Sequence, residues 1–325
     1  MARTSSSPWT GCSTLSAPPS RGPEALDTIS PPARVAFVGL GVMGASMAAN
    51  IAKAGFRLAV SNRSRGKAEA LEAAGAEWAA SPAEAARGAA CVGLCLPDTP
   101  DVEAVLFGPG GVAEGVAPGT VVIDFSTIAA APTAGFARRL LEERGAHLLD
   151  SPVSGGPGGA RDGTLTLMIG GDAAAFEAAR PYLEAVGKTL THLGPPGAGQ
   201  VCKSANQLLV AAGVLAVSEA LALGRKAGLD PAAMRQALMG GSARSFVLEN
   251  HAKRINEGTF QPGFRAELMR KDTRLSLSAM RDHGVFAPAT AVVAQMLEAL
   301  VNSGRGGMDS ASLGALVAEL SGLEG

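Results

Sequence analysis

Apolar residues run in short blocks through the first part of the chain and in helical periods through the last third. From Ala33 the blocks are regular. Arg34-Val35-Ala36-Phe37-Val38 is an apolar run closed by Gly39, the pattern of a short buried strand. A helical stretch follows to Ala54 and is closed by Gly55. The same alternation predicts strands at Arg57–Val60, Cys91–Leu96, Thr120–Asp124, His147–Leu149 and Thr164–Ile169. Helices fit between them, for example near Lys67–Ala74 and over Thr133–Arg144. Strand and helix alternating at this interval predict an α/β unit with a doubly wound parallel sheet. The alternation stops at Gly194-Pro195-Pro196-Gly197, and helices are expected at about 199–227, 231–239, 245–255, 264–282 and 288–302. Asp230-Pro231 reads as the N-cap and first residue of one of them. The chain therefore divides into an α/β domain over 33–195 and an all-helical domain over 196–325.

Residues 1–32 stand apart: they are rich in Ser, Pro, Thr and Gly and poor in large apolar side chains, so a disordered tail is expected. Arg3 and Arg21, with no acid before Glu24, leave organelle targeting open beside a cytoplasmic location. Across 325 residues the net charge is −1, with cations spread along the chain, which argues against nucleic acid or an anionic membrane as partner. The apolar stretch Leu208–Leu223 carries Glu219 and reads as a core helix. The four cysteines form no C-x-x-C pair and the four histidines are far apart, so no metal site is expected.

Gly39-Leu40-Gly41-Val42-Met43-Gly44 is a G-x-G-x-x-G loop that follows a predicted strand and opens a predicted helix, the context of a Rossmann dinucleotide fold. Gly39 makes the tight turn, Gly41 admits a pyrophosphate, and Gly44 brings helix and strand together. Where an NAD-preferring site places a carboxylate for the ribose, after the second strand, this chain has Asn62-Arg63-Ser64-Arg65. Arg63 can pair with a 2′-phosphate, and Asn62 and Ser64 can donate hydrogen bonds to it. The expected cofactor is NADP, with NAD the other option.

Lys203 is the only Lys, Arg, Asp or Glu between Lys188 and Glu219. Asn206 and Gln207, at i+3 and i+4, share its helix face. A buried lysine has its pKa drawn towards the range of an acid/base catalyst. A lysine snorkelling from a helix end fits the spacing equally well.

Four motifs in order make the chain resemble the β-hydroxyacid dehydrogenases, the group of 3-hydroxyisobutyrate dehydrogenase and tartronate semialdehyde reductase. They are the glycine loop with Met47-Ala48 and Asn50; Asp150-Ser151-Pro152-Val153-Ser154-Gly155-Gly156, continuing through Gly159-Ala160 and Gly163-Thr164-Leu165; Gly199-Gln200-Val201-Cys202-Lys203-Ser204-Ala205-Asn206; and Phe264 with Leu268 and Lys271-Asp272. The resemblance implies that Lys203 is the catalytic lysine and Asn206 its polar partner. It implies that Ser126 and Ser154-Gly155-Gly156 hold the substrate carboxylate and hydroxyl, and that Leu96-Pro97, Thr127 and Lys271 contact the nicotinamide side. Ser154 offers a hydroxyl and the two glycines offer N–H groups that can wrap a carboxylate.

The activity so implied is hydride transfer between NADP(H) and a small β-hydroxyacid or its semialdehyde, of the 2-hydroxy-3-oxopropionate reductase or 3-hydroxyisobutyrate dehydrogenase type. The helical half resembles the tartronate semialdehyde reductases. Asn62-Arg63-Ser64 is closer to the glyoxylate and succinic semialdehyde reductases, which stay as the alternative. An imine reductase and a non-catalytic NADP-binding protein are less favoured, because Lys203 is present. The family and the apolar helical half together imply a homodimer or homotetramer.

Overall fold

The computed structural model describes residues 26–323. Nine strands are found among them: β1 (Arg34–Val38), β2 (Arg57–Ser61), β3 (Glu77–Trp78), β4 (Cys91–Leu94), β5 (Val121–Asp124), β6 (His147–Asp150), β7 (Val153–Ser154), β8 (Leu165–Gly170) and β9 (Gly187–Gly194). They form one sheet in the order β3-β2-β1-β4-β5-β6-β8-β7, with β9 paired to β8. From β3 to β6 every pairing is parallel. Sequence order reverses between β1 and β4, and doubly wound sheets bind ligands beyond the strand C-termini at such a switch point. Helices on both faces bury the central strands completely, which is why Val35–Phe37 and Val121–Ile123 are apolar at every position.

The sheet departs from the expected all-parallel pattern at one end. Strand β8 runs antiparallel to β6 and β7, then pairs in parallel with β9. The hairpin-like return from β7 through the short helix Gly156–Asp162 reverses the chain without a full crossover.

The expected tail boundary also moves. Ile29 is buried and its N–H donates to Ala178 O at 2.8 Å, Leu26 packs on the core, and Arg57 Nε donates to Pro32 O at 3.0 Å. Residues 26–32 thus lie against the α/β domain. The remainder of the expected tail, with its targeting reading, falls outside the described residues.

The helical domain is organised on Ala198–Lys226, a helix of 29 residues. Helices Phe246–Glu257, Ala266–Asp282, Pro288–Leu300 and Leu313–Leu320 pack around it. By length and composition this central helix could cross a membrane, which is weak evidence, since a core helix passes the same test. Asp230 caps Pro231–Met239 as expected, its carboxylate accepting from Ala233 N at 2.6 Å. The last helix, Leu313–Leu320, was not among the expected elements.

Candidate functional site

The glycine loop is built as its spacing requires. Gly39 has φ +96° and lies over the Cys95 carbonyl, so a Cβ there would overlap it. A Cβ on Gly44 would overlap the Gly39 carbonyl. Gly41 is different: no atom lies within 4 Å of where its Cβ would be. That open space faces the N-terminus of helix Val42–Lys53, whose first turn has no side-chain cap and whose Val42 is 75% exposed. Free N–H groups beside an open cradle fit a pyrophosphate.

The turn after β2 separates its polar residues by task. Asn62 braces the loop: its Oδ1 accepts from Leu40 N at 3.0 Å and its Nδ2 donates to Ser64 O at 3.0 Å. Arg65 is paired with Glu72 at 2.8 Å and lies 5.7 Å over the Trp78 ring. Arg63 and Ser64 are exposed, and Arg63 has no hydrogen-bond or ion-pair partner among the described residues. Of the two arginines in this turn, Arg63 is the one without a partner among the described residues.

The C-terminal ends of β4 and β5 carry the residues assigned to the nicotinamide side. Lys271, on helix Ala266–Asp282, reaches across the domain junction and donates from Nζ to Thr127 O at 2.6 Å and Pro97 O at 3.1 Å. Leu96 N donates to Ser126 Oγ at 2.8 Å. Four of the sequence-selected positions, Leu96, Pro97, Thr127 and Lys271, thus meet in one place. Ser126 itself is 3% exposed, and its N–H donates to Asp124 Oδ1 at 2.9 Å. Its Oγ thereby ties together the segments that follow β4 and β5.

Lys203 sits on the second turn of the central helix and is 7% exposed. Its Nζ donates to Val153 O at 2.9 Å, which brings it beside Ser154, Gly155 and Gly156. Gly155 and Gly156 have φ +135° and +62°, and they turn the chain from β7 into helix Gly156–Asp162. Burial draws the Lys203 pKa down to about 8, against the attraction of Asp272, while Lys271 pushes the same way as burial. One turn further, Asn206 Nδ2 donates to Gln207 Oε1 at 2.7 Å, and Gln207 Nε2 donates to Asp272 Oδ2 at 2.6 Å. Asp272 Oδ1 is paired with Lys271 Nζ at 3.1 Å.

Three residues that received no role from the sequence hold this arrangement together. Asp150, fully buried at the end of β6, accepts from Gly197 N at 2.7 Å and Gln200 N at 2.9 Å. It caps the N-terminus of the central helix, where burial raises its pKa and the Gly197 and Gln200 N–H groups act against that shift. Gln200 donates from Nε2 to Ser126 O at 2.8 Å and accepts from Ile128 N at 3.1 Å. The start of the Lys203 helix is thereby tied to β6 and to the loop after β5. Asp124 is the neighbour of Asp150 in register, and burial pushes its carboxyl up to about 7 despite the Ser126 hydrogen bonds. The available signal was an acid closing an apolar run, VVID and HLLD.

Each half of the chain matches a known family model. The family model for the NAD binding domain of 6-phosphogluconate dehydrogenase matches residues 34–194, and that for the NAD-binding domain of NADP-dependent 3-hydroxyisobutyrate dehydrogenase matches residues 197–317. A 2-hydroxy-3-oxopropionate reductase of Escherichia coli is 41% identical over 280 residues, covering 86% of this chain and 95% of the relative. An NAD-dependent L-serine dehydrogenase of Pseudomonas aeruginosa is 39% identical over 281 residues, covering 83% and 93%. The structure of Mycobacterium tuberculosis 3-hydroxyisobutyrate dehydrogenase with L-serine superposes with a TM-score of 0.81 at 30% identity, covering 87% of this chain and 98% of that one. Two matched family models and relatives aligned over nearly their whole length establish that the chain belongs to the β-hydroxyacid dehydrogenases, NAD(P)-dependent oxidoreductases acting on CH–OH groups.

Proposed function

We propose that the protein interconverts a small carboxylated semialdehyde, 2-hydroxy-3-oxopropionate, and its β-hydroxyacid with NADP(H), using Lys203 as general acid and base. The observation that carries this reading is the placement of Lys203: an amine buried to 7% exposure, drawn to about 8, and held against the strand that leads into Ser154-Gly155-Gly156. When bound, the nicotinamide cofactor supplies or accepts the hydride. The Lys203 ammonium, anchored through one N–H on Val153 O, directs another to the substrate carbonyl oxygen and gives up a proton as charge develops there. In oxidation the neutral amine takes the hydroxyl proton. The Ser154 hydroxyl with the Gly155 and Gly156 N–H groups holds the carboxylate, so that the reacting carbon is positioned before the chemical step. Asn206 stands beside the lysine on the same helix face. Gly39, Gly41, Val42, Met43 and Gly44 form the pyrophosphate cradle. Arg63 and Ser64 meet the 2′-phosphate, braced by Asn62. Leu96, Pro97, Thr127 and Lys271 form the nicotinamide side.

The choice of substrate rests on the Escherichia coli relative, and the NADP preference on the partnerless Arg63. The test is oxidation of NADPH, then NADH, with 2-hydroxy-3-oxopropionate, glyoxylate, succinic semialdehyde, methylmalonate semialdehyde and a cyclic imine. The expected result is highest kcat/KM for the first compound with NADPH. Preference for glyoxylate or succinic semialdehyde would move the chain to that alternative group, and turnover of the imine alone would overturn the reading.

The same reading makes the protein a cytoplasmic homodimer or homotetramer, on the strength of its bacterial relatives and of its central helix. Leu209 and Leu223, 73% and 70% exposed, share one face of that helix with Val201. Light scattering of the wild type against Leu209→Glu tests this; a monomeric wild type would contradict it.

A further inference from the structure

The polar residues beside Lys203 form a chain whose direction is fixed at one end. Asp272 is 3% exposed and paired with Lys271 through Oδ1. As a carboxylate it only accepts hydrogen bonds. Gln207, itself buried, must therefore turn its NH2 towards Asp272 Oδ2, which leaves Oε1 facing the other way. Oε1 can only accept, so Asn206 must turn its own NH2 towards it, as the 2.7 Å contact shows. The far end of the chain is then Asn206 Oδ1. This oxygen has no protein partner among the described residues, and it is not one of the buried polar atoms left unpaired. It is an accessible acceptor one helical turn from Lys203.

We propose that Gln207 is a specificity-determining positioning residue: by relaying the polarity of Asp272 to Asn206 it makes the site present an acceptor, which selects substrates that carry a hydroxyl donor beside the reacting carbonyl. The proposal rests on the semialdehyde reductase reading above and narrows it to 2-hydroxy-3-oxo acids. Were the chain reversed, Asn206 would present NH2 next to an ammonium, and a substrate hydroxyl would have to serve as acceptor between two donors. With the observed direction the substrate hydroxyl donates to Asn206 Oδ1 and the carbonyl oxygen is left to Lys203.

The test compares 2-hydroxy-3-oxopropionate with 3-oxopropionate, which differs only by the hydroxyl, using NADPH and the full chain as wild type, Gln207→Met and Gln207→Glu. Methionine keeps the length of the side chain and removes the relay. Glutamate, protonated so that it donates to Asp272 Oδ2, keeps an acceptor facing Asn206. A single hydrogen bond of this kind corresponds to about tenfold in kcat/KM. The wild type is expected to favour the hydroxylated substrate by about that factor, Gln207→Met to lose the preference mainly through KM for the hydroxylated substrate, and Gln207→Glu to retain it. Thermal unfolding and NADPH binding of each variant separate loss of fold from loss of selection. Equal use of both substrates by the wild type would overturn the proposal while leaving the reductase reading intact. So would a Gln207→Met variant that is slowed equally on both, since that is the mark of a merely structural residue. Turnover of neither compound by the wild type would defeat the reductase reading and this proposal with it.

Discussion

The α/β half contributes mostly backbone to the candidate site, and the helical half mostly side chains. At the glycine loop the groups on offer are N–H donors, the positive φ of Gly39 and the open space at Gly41. Across the junction, helix Ala198–Lys226 gives Lys203, Asn206 and Gln207, and helix Ala266–Asp282 gives Lys271 and Asp272. The two halves therefore fail differently. A backbone site is lost by adding atoms, and a side-chain site by removing them. On the proposed reading the first holds the nucleotide by shape and dipole, and the second moves a proton.

This contrast gives an ordered set of substitutions. The largest effect is expected for Lys203→Ala: kcat falls by about 10²–10⁴, the usual loss for a positioned general acid, while NADPH binding stays near wild type. Gly41→Val should do the reverse. The Cβ meets nothing in the fold, so thermal stability holds, but nucleotide affinity falls by about 10²-fold because the phosphate cradle is filled. Gly44→Val, by contrast, should unfold the domain, since its side chain would enter the Gly39 carbonyl and the Phe37 ring. Asp150→Ala attacks the junction itself. It strands the Gly197 and Gln200 N–H groups in a buried site and should cost about 3 kcal/mol of stability in a denaturant titration. The smallest effect is expected for Arg63→Ala, which should lower the NADPH-over-NADH preference about tenfold at unchanged kcat.

The same difference explains what could be read from the chain. Gly39, Gly41 and Gly44 were legible because their constraint is local: three glycines at fixed spacing between a strand and a helix. Lys203 stood out as a lone cation in an apolar helix, but spacing alone fitted a lysine snorkelling from the helix end equally well, and it is the packing around it that buries the side chain. Asp150 and Gln200 were not, because their partners lie 47 to 74 residues away, and an aspartate closing a strand looks like any turn residue. The reversal of β8 left no trace either: Leu165, Leu167 and Ile169 are buried while Thr166 and Met168 are half-buried, an alternation that does not depend on strand direction. Ile29, isolated among Ser, Pro and Asp, gave no periodic signal, although it docks on the sheet domain.

The central claim is that Lys203 carries the proton, and the pH dependence of both reaction directions tests it most directly. The charged groups acting on its amine are Asp272 and Lys271, with the Cys202 thiol, and burial is the larger influence. Reduction by this route needs the ammonium, so its kcat/KM should be level below about 8 and fall tenfold per pH unit above it. Oxidation needs the neutral amine, so its kcat/KM should rise tenfold per unit up to about 8 and then level. Opposite limbs that share one inflection near 8, both abolished in Lys203→Ala, are the predicted result. Limbs that run in the same direction, or an inflection that survives the loss of Lys203, would contradict the account.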